Sequence, residues 1–286
     1  MEEKRILVCE DEDAIRDFVV IHLKRSGYDV YDVDSGEKAI EAWKSGRRFD
    51  VALLDIMMPG MDGTQVCRFL RSESSTIGII MLSAKSQEMD KVNCLMMGAD
   101  DYVTKPFSPS ELIARIDAIY RRVSISRSSE ESSEELVSGP FRVDVKSRRI
   151  TKNGEPLDIT QVEYHIIEYF IRNKGNAVDR RTLLSKIWGE SYYGDDKIVD
   201  VNIRRIRMKI EEDPSDPKYI KTVWASATSG EKKRKPSEKI FYDLFADACI
   251  SVLRYRVRRH AGAGRERAAP ALSARTFVEK VPFPTD

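Results

Sequence analysis

Four short apolar runs in the first half of the chain each stop at a residue that carries chemistry. Residues 51–54 (VALL) run into Asp55, followed at once by IMMPGMDG. Residues 5–9 (RILVC) run into Glu10 and Asp11, residues 77–82 into Ser83, and residues 102–104 into Lys105 and Pro106. A run this short, apolar and closed by Pro or Gly reads as a buried strand ending in a loop. Ionised acids are seldom buried without a partner, so Asp55 at the end of such a strand marks a site. Open α/β sheets place their ligands at the carboxyl ends of the strands. The pattern predicts a doubly wound α/β domain in which three acids, a hydroxyl and an ammonium converge at one edge.

Three carboxylates a few ångströms apart raise one another's pKa unless a cation stands between them. Glu10, Asp11 and Asp55 make a hard, all-oxygen set suited to Mg2+. A cation there neutralises an incoming phosphoryl group and leaves Asp55 free to act as nucleophile, forming an acyl phosphate. Ser83 can donate a hydrogen bond to one phosphoryl oxygen, and Lys105 can pair with another as a point charge. A cis Lys105–Pro106 bond is expected to aim the lysine inward. Each residue alone has a plainer reading. Residues 10–13 (EDED) suit the first turn of a helix, Asp62 suits turn chemistry and Ser83 suits an N-cap. The joint pattern is what coincidence does not supply.

Residues 1–122, through VCEDED, LLDIMMPGMDG, IIMLSAK and GADDYVTKPF, resemble the receiver domain of two-component response regulators. The resemblance implies five parallel strands wrapped by five helices, the flavodoxin-like arrangement. It implies that a sensor histidine kinase phosphorylates Asp55, and that Glu10, Asp11, Asp55 and the Met57 backbone carbonyl surround Mg2+. Ser83 and Lys105 fall on the family's hydroxyl and lysine positions. Tyr102 falls on its aromatic switch position, where a ring swings inward once Ser83 closes on the phosphoryl group. The implied protein is a phosphoacceptor rather than an enzyme, apart from Mg2+-dependent self-phosphorylation from a phosphodonor.

The 286 residues allow two domains. No apolar run is long enough to span a membrane and no signal peptide is present, which predicts a cytoplasmic protein without a membrane partner. Cys9, Cys67, Cys94 and Cys249 show no metal or redox spacing and suit a reducing compartment. Net charge is +1, unevenly spread: residues 1–122 hold 17 basic and 22 acidic side chains, and the remainder is basic overall. An acidic regulator followed by a basic module suggests that nucleic acid is bound downstream. Residues 123–135, rich in Ser and Glu, bury too little to order themselves and read as a flexible linker.

Residues 136–230 form the second domain. Residues 141–145 alternate as a half-buried strand does, residues 148–151 continue after a turn, and Asn153-Gly154 marks another turn. Thr160 and Glu163 make a capping box for a helix with Val162, Ile166, Tyr169 and Phe170 on one face. Residues 181–188 give a second helix. Residues 197–210 give a third, with Val199, Ile203, Ile206 and Ile210 as its stripe, stopped by Asp213-Pro214. Asn202, Arg204, Arg205, Arg207 and Lys209 are expected to point away from that stripe or flank it. Arg and Asn suit guanine and adenine edges, and Lys and Arg neutralise phosphates. A basic helix of this length fits a major groove, although a plain solvated face has the same composition.

Through LDITQVEYHIIEYF, RTLLSKIW, VDVNIRRIRMKIEEDP and YIKTVW, residues 136–224 resemble the winged-helix output domain, an α+β fold, of the OmpR/PhoB class of transcription factors. The resemblance implies that residues 201–209 lie on the recognition helix. It implies a dimer on direct repeats of promoter DNA, with RNA polymerase as a candidate partner. It also implies a receiver homodimer formed on phosphorylation. The charge pairs of that interface are matched by Lys91 with Glu111, Asp101 with Arg115, and Asp100 with Arg122. Each exposed pair is worth only roughly 0–1 kcal/mol, and a symmetric dimer repeats each twice.

The family pattern breaks after Trp224. A wing hairpin of the type GVGYKF is expected there, and the chain reads ASATSG instead. One added guanine in suitable codons restores a family-like wing, so a reading-frame change accounts for the break. Residues 231–286 form a basic tail without a family counterpart. Ile240, Phe241, Leu244, Phe245, Ala248, Val252 and Leu253 could line a helix face there. Two other functions match parts of this pattern. A receiver with a disabled output would act as a phosphate sink. An Asp-nucleophile phosphatase of the haloacid-dehalogenase type would want a second Asp at the position of Met57.

Overall fold

The computed structural model describes residues 4–84, 88–124, 134–190, 192, 194–224 and 240–244. The N-terminal domain alternates strand and helix: β1 (Lys4–Cys9), α1 (Asp13–Arg25), β2 (Tyr28–Val33), α2 (Gly36–Lys44), β3 (Val51–Asp55), α3 (Gly63–Glu73), β4 (Gly78–Ser83), α4 (Glu88–Met96), β5 (Asp101–Thr104) and α5 (Pro109–Ser124). Its sheet has the order β2-β1-β3-β4-β5, parallel throughout. Every residue of β3 and β4 is buried, because helices cover both faces of a parallel sheet. The period of two sorts their side chains into two layers. Ile6, Val8, Leu53, Ile80 and Leu82 meet Val19, Leu23, Ile116 and Ile119 of α1 and α5. Leu7, Cys9, Leu54, Ile79 and Met81 belong to the other layer, with Ala39, Trp43, Val66 and Leu70 of α2 and α3. Strand order reverses between β1 and β3, so their carboxyl ends flank the crevice where such sheets bind ligands.

The C-terminal domain opens with an antiparallel sheet of β6 (Glu135–Ser138), β7 (Phe141–Asp144), β8 (Arg149–Lys152) and β9 (Glu155–Pro156). Asn153 and Gly154 both take positive φ at the β8–β9 turn, as the Asn-Gly pair predicts. Three helices follow, α6 (Gln161–Arg172), α7 (Arg180–Trp188) and α8 (Lys197–Ile210), with β10 (Val178–Asp179) between the first two. The capping box of α6 is formed: Thr160 accepts from the Glu163 N–H, and the Glu163 carboxylate accepts from the Thr160 N–H at 2.8 Å. Val162, Ile166 and Phe170 are fully buried, and Tyr169 packs at the edge of the core. The end of α8 is held by Glu211, whose carboxylate accepts from the backbone N–H groups of Lys218, Tyr219 and Ile220.

Three expectations change. α5 continues through Ser124 and β6 begins at Glu135, so both ends of the expected linker belong to regular structure; residues 125–133 lie outside the described residues. β11 (Ile220–Trp224) does not lack a partner, because β12 (Ile240–Leu244), from the tail, pairs antiparallel with it and with β10. Ile240, Phe241 and Leu244, expected on a helix face, therefore lie in a strand. The β-branched and aromatic content of IFYDL favours that conformation, and the open edges of β10 and β11 supply its backbone partners. Phe245, Ala248, Val252 and Leu253 lie outside the described residues. Among the described residues, no helix is long and apolar enough to cross a membrane.

Candidate functional site

Asp55 ends β3 and is 2% exposed, and Glu10, the residue after β1, is fully buried. Lys105, just past β5, bridges them: its Nζ donates to Glu10 Oε1 at 2.8 Å and to Asp55 Oδ2 at 3.0 Å. The Lys105–Pro106 peptide is cis. Ser83 ends β4, is fully buried, and its carbonyl accepts from the Lys105 N–H at 2.8 Å. Glu10, Asp55, Ser83 and Lys105 are thus delivered by the ends of four different strands, and Asp11 follows Glu10 at the end of β1.

Burial pushes the Glu10 carboxyl up to about 7, with the Asp55 charge adding to the effect and Lys105 opposing it. Burial depresses the Lys105 ammonium, but its hydrogen bonds to Glu10 and Asp55 prevail and hold it above its ordinary value. One oxygen from each of Glu10, Asp11 and Asp55 lies within 4.8 Å of the other two. Asp11 Oδ1 is buried with no hydrogen-bond partner among the described residues. An orphaned carboxylate oxygen beside two further acids fits a hard divalent cation. The side chain of Met57 is exposed, and its N–H donates to Asp55 Oδ1 at 3.3 Å. Asp62 is turn and cap chemistry, accepting from Gln65 N in a capping box at the head of α3.

Two supports of this site went unread in the sequence. Arg16, one turn into α1, donates to the Glu10 carbonyl at 2.8 Å and fixes the β1–α1 loop. Gly63 lies so close to the Asp55 carbonyl that an added Cβ would collide with backbone. A lone Arg after an acidic run and a Gly in a Pro-Gly loop carry no signal of those contacts.

Tyr102 is buried and hydrogen-bonded with Ser83; burial raises its phenol above the ordinary value. Lys91 Nζ lies 6.0 Å from the centroid of the Tyr102 ring. Asp101 and Arg115 pair within one chain at 3.0 Å, and Arg115 also meets Glu111 at 2.7 Å. Asp100 differs from the expectation. It is 2% exposed, pairs with Arg71, and accepts from the Ile79 N–H at 2.9 Å. A carboxylate held this way is an internal brace for the start of β5 rather than a surface charge. The side chain of Arg122 lies outside the described residues.

The polar face expected on α8 is only partly a face. Arg204 and Lys209 are exposed, although Lys209 also pairs with Glu163 at 2.7 Å. Arg207 donates to the Ile220 carbonyl and to Thr222 Oγ1. Asn202 is fully buried, its amide donating to the Ile198 carbonyl at 2.8 Å. Arg205 is 6% exposed, paired with Glu163 at 3.0 Å. The apolar stripe is wider than read, because Ile198 and Val201 join it. Residues 202 and 205 then lie on buried flanks, set there by the 3.6-residue period.

Residues 6–117 match the response regulator receiver domain family, and residues 154–226 match the family described as transcriptional regulatory protein, C terminal. The chain is 42% identical over 219 residues to the sensory transduction protein RegX3 of Mycolicibacterium smegmatis, covering 76% of this chain and 95% of that protein. RegX3 of Mycobacterium tuberculosis is 42% identical over 218 residues, with the same coverage. Among solved structures, a mutant of RitR is similar with a TM-score of 0.63 at 25% identity, covering 84% of this chain and 98% of that one.

Proposed function

Because this chain belongs to the two-component response regulators of the OmpR/PhoB class, we propose that Asp55 is its phosphoacceptor and α8 its DNA-reading helix. One observation carries the first part: Glu10, Asp11, Asp55 and Lys105 meet at the switch point of the sheet. A carboxylate oxygen of Asp55 attacks the phosphorus of a phosphohistidine on the kinase. The new O–P bond forms as the P–N bond breaks, and the imidazole nitrogen takes up a proton. Glu10, Asp11, Asp55 and the Met57 carbonyl would hold Mg2+, which when bound supplies charge neutralisation for the incoming phosphoryl oxygens. Lys105 and Ser83 bind the remaining oxygens, and Tyr102 follows Ser83 inward.

The phosphorylated receiver then favours a homodimer, a shift of population between two states. Lys91, Asp101, Glu111 and Arg115 set its register. Arg204, Arg207 and Lys209 contact promoter DNA. The regulated step is transcription. Acetyl phosphate with Mg2+ should add one phosphoryl group, read by intact mass, and should promote dimerisation and DNA binding. Asp55→Ala should show none of the three. A phosphoryl group that still appears on Asp55→Ala moves the acceptor elsewhere and defeats the assignment.

A further inference from the structure

We propose that β10 and β11 form a slot for one further strand, and that residues 240–244 of the tail fill it in place of the family's last wing strand. The match to the transcriptional regulatory family ends at residue 226, so β12 comes from sequence outside that match. It nevertheless takes the centre of a three-stranded sheet in the order β10-β12-β11. Tyr242 stands opposite both Val178 and Thr222, and Phe241 opposite both Asp179 and Val223. Among the described residues, β10 and β11 do not pair with each other, and β12 is the ladder partner of each. Without it both facing edges stand open. Such a slot takes an extended segment through the backbone, as strand-addition sites do.

The long connection makes the pairing a property of the segment rather than of a turn. Fifteen residues, 225–239, separate Trp224 from its partner Ile240. A tight hairpin fixes strand register through its turn, and a connection of this length does not. Closing it is also roughly twentyfold less favourable than closing a two-residue turn. Register and affinity therefore reside in the strand pairings themselves. The slot also bears on both helices of the DNA-reading pair. Asp179 of β10 caps α7, accepting from the N–H groups of Arg181 and Thr182, and stands opposite Phe241. On the other side of β12, the Ile220 carbonyl and Thr222 Oγ1 of β11 accept from Arg207 of α8, both at 2.9 Å. One strand thus joins the head of α7 to the strand that anchors α8. A filled slot leaves the output domain complete despite the break after Trp224.

The consequence for DNA rests on the proposed role of α8, and the test separates it from the slot. A protease site is placed within residues 225–239 of the full-length chain. The same chain with Tyr242→Pro is the control, because proline removes a ladder donor from a central strand. After cleavage, the wild-type tail fragment should stay with the remainder through gel filtration. Melting temperature, and affinity for a mixed-sequence duplex in acetyl phosphate and Mg2+, should match those of the uncut chain. An excess of a synthetic peptide of residues 238–246 should displace the fragment, and the peptide with Tyr242→Pro should compete at least roughly tenfold less well. In the Tyr242→Pro chain the fragment should separate, and duplex affinity should fall roughly tenfold. Immediate loss of the wild-type fragment, or equal retention of both fragments, overturns the proposal. So does an uncut, unphosphorylated wild type that sediments as a dimer only when Tyr242 is intact, since that places the strand in a neighbouring copy. If neither chain binds duplex, the DNA reading fails, and fragment retention still decides on the slot.

Discussion

Glu163 shows how one buried carboxylate holds a domain together. It is fully buried, caps α6 through the Thr160 N–H, and pairs with Arg205 and Lys209 of α8. Burial alone would push its carboxyl up, but the two cations prevail and hold it below the ordinary glutamate value. A depressed carboxyl adds stability that is complete above its unfolded pKa and is lost as pH falls through the folded one. Unfolding of the C-terminal domain should therefore become easier on acidification below the ordinary glutamate range. Glu163→Gln should unfold about 3 kcal/mol more easily at neutral pH, because it leaves Arg205 buried without its charge partner. It should also lose that part of the acid sensitivity. Chemical denaturation across pH checks both, and a variant with an unchanged acid slope would refute the assignment. In the receiver, Gly63→Ala should cost roughly 1–3 kcal/mol, since the new methyl meets the Asp55 backbone and the core has no slack to receive it. Thermal melts read the loss. A neutral Gly63→Ala would mean that the β3–α3 loop can move away from Asp55.

What could be read before the structure follows from the kind of signal each element leaves. β1, β3, β4 and β5 are central or site-forming strands whose ends carry Glu10, Asp55, Ser83 and Lys105, so apolar run and chemistry coincide. β2 escaped notice because it is an edge strand: Asp29 and Asp32 are exposed within it and interrupt the run. α6 and α8 were legible from cap and period. The burial of Arg205 was not, because it depends on Glu163 and Ala99, which lie far away in the chain. β12 was illegible for the same reason. Its five pairings with β11 and two with β10 join residues far apart in the chain. A chain ending after Leu244 should keep the stability and DNA affinity of the full chain. A chain ending after Trp224 should lose on the order of 0.5 kcal/mol for each cross-strand pair and bind DNA more weakly. Calorimetry and an electrophoretic mobility assay make the comparison, and equal behaviour of the two truncations would show that β12 contributes nothing.

At the scale of the whole molecule, the two domains share an apolar cluster, and among the described residues Tyr192 with Asp101 and Arg115, and Arg205 with Ala99, make polar contacts across their boundary, so their equilibria are linked. If phosphoryl-Asp55 favours the open state and DNA binds only that state, each must favour the other by the same factor. The coupling is bounded by the free energy of the closed contact, because a ligand shifts an equilibrium only by its differential affinity. With acetyl phosphate as donor, saturating duplex should raise the steady phosphorylated fraction of the wild type, read by phosphate-affinity electrophoresis. Tyr192→Phe removes the hydrogen bond to Asp101 across the domain boundary, so the same duplex should raise that fraction less, from a higher starting level. The Asp55 chemistry itself is untouched by this substitution, since Tyr192 contacts Asp101 and Arg115 and none of Glu10, Asp11, Asp55 or Lys105. An equal response of the two proteins to duplex would show that DNA and phosphoryl group act on separate equilibria, and that the contact between the domains transmits nothing.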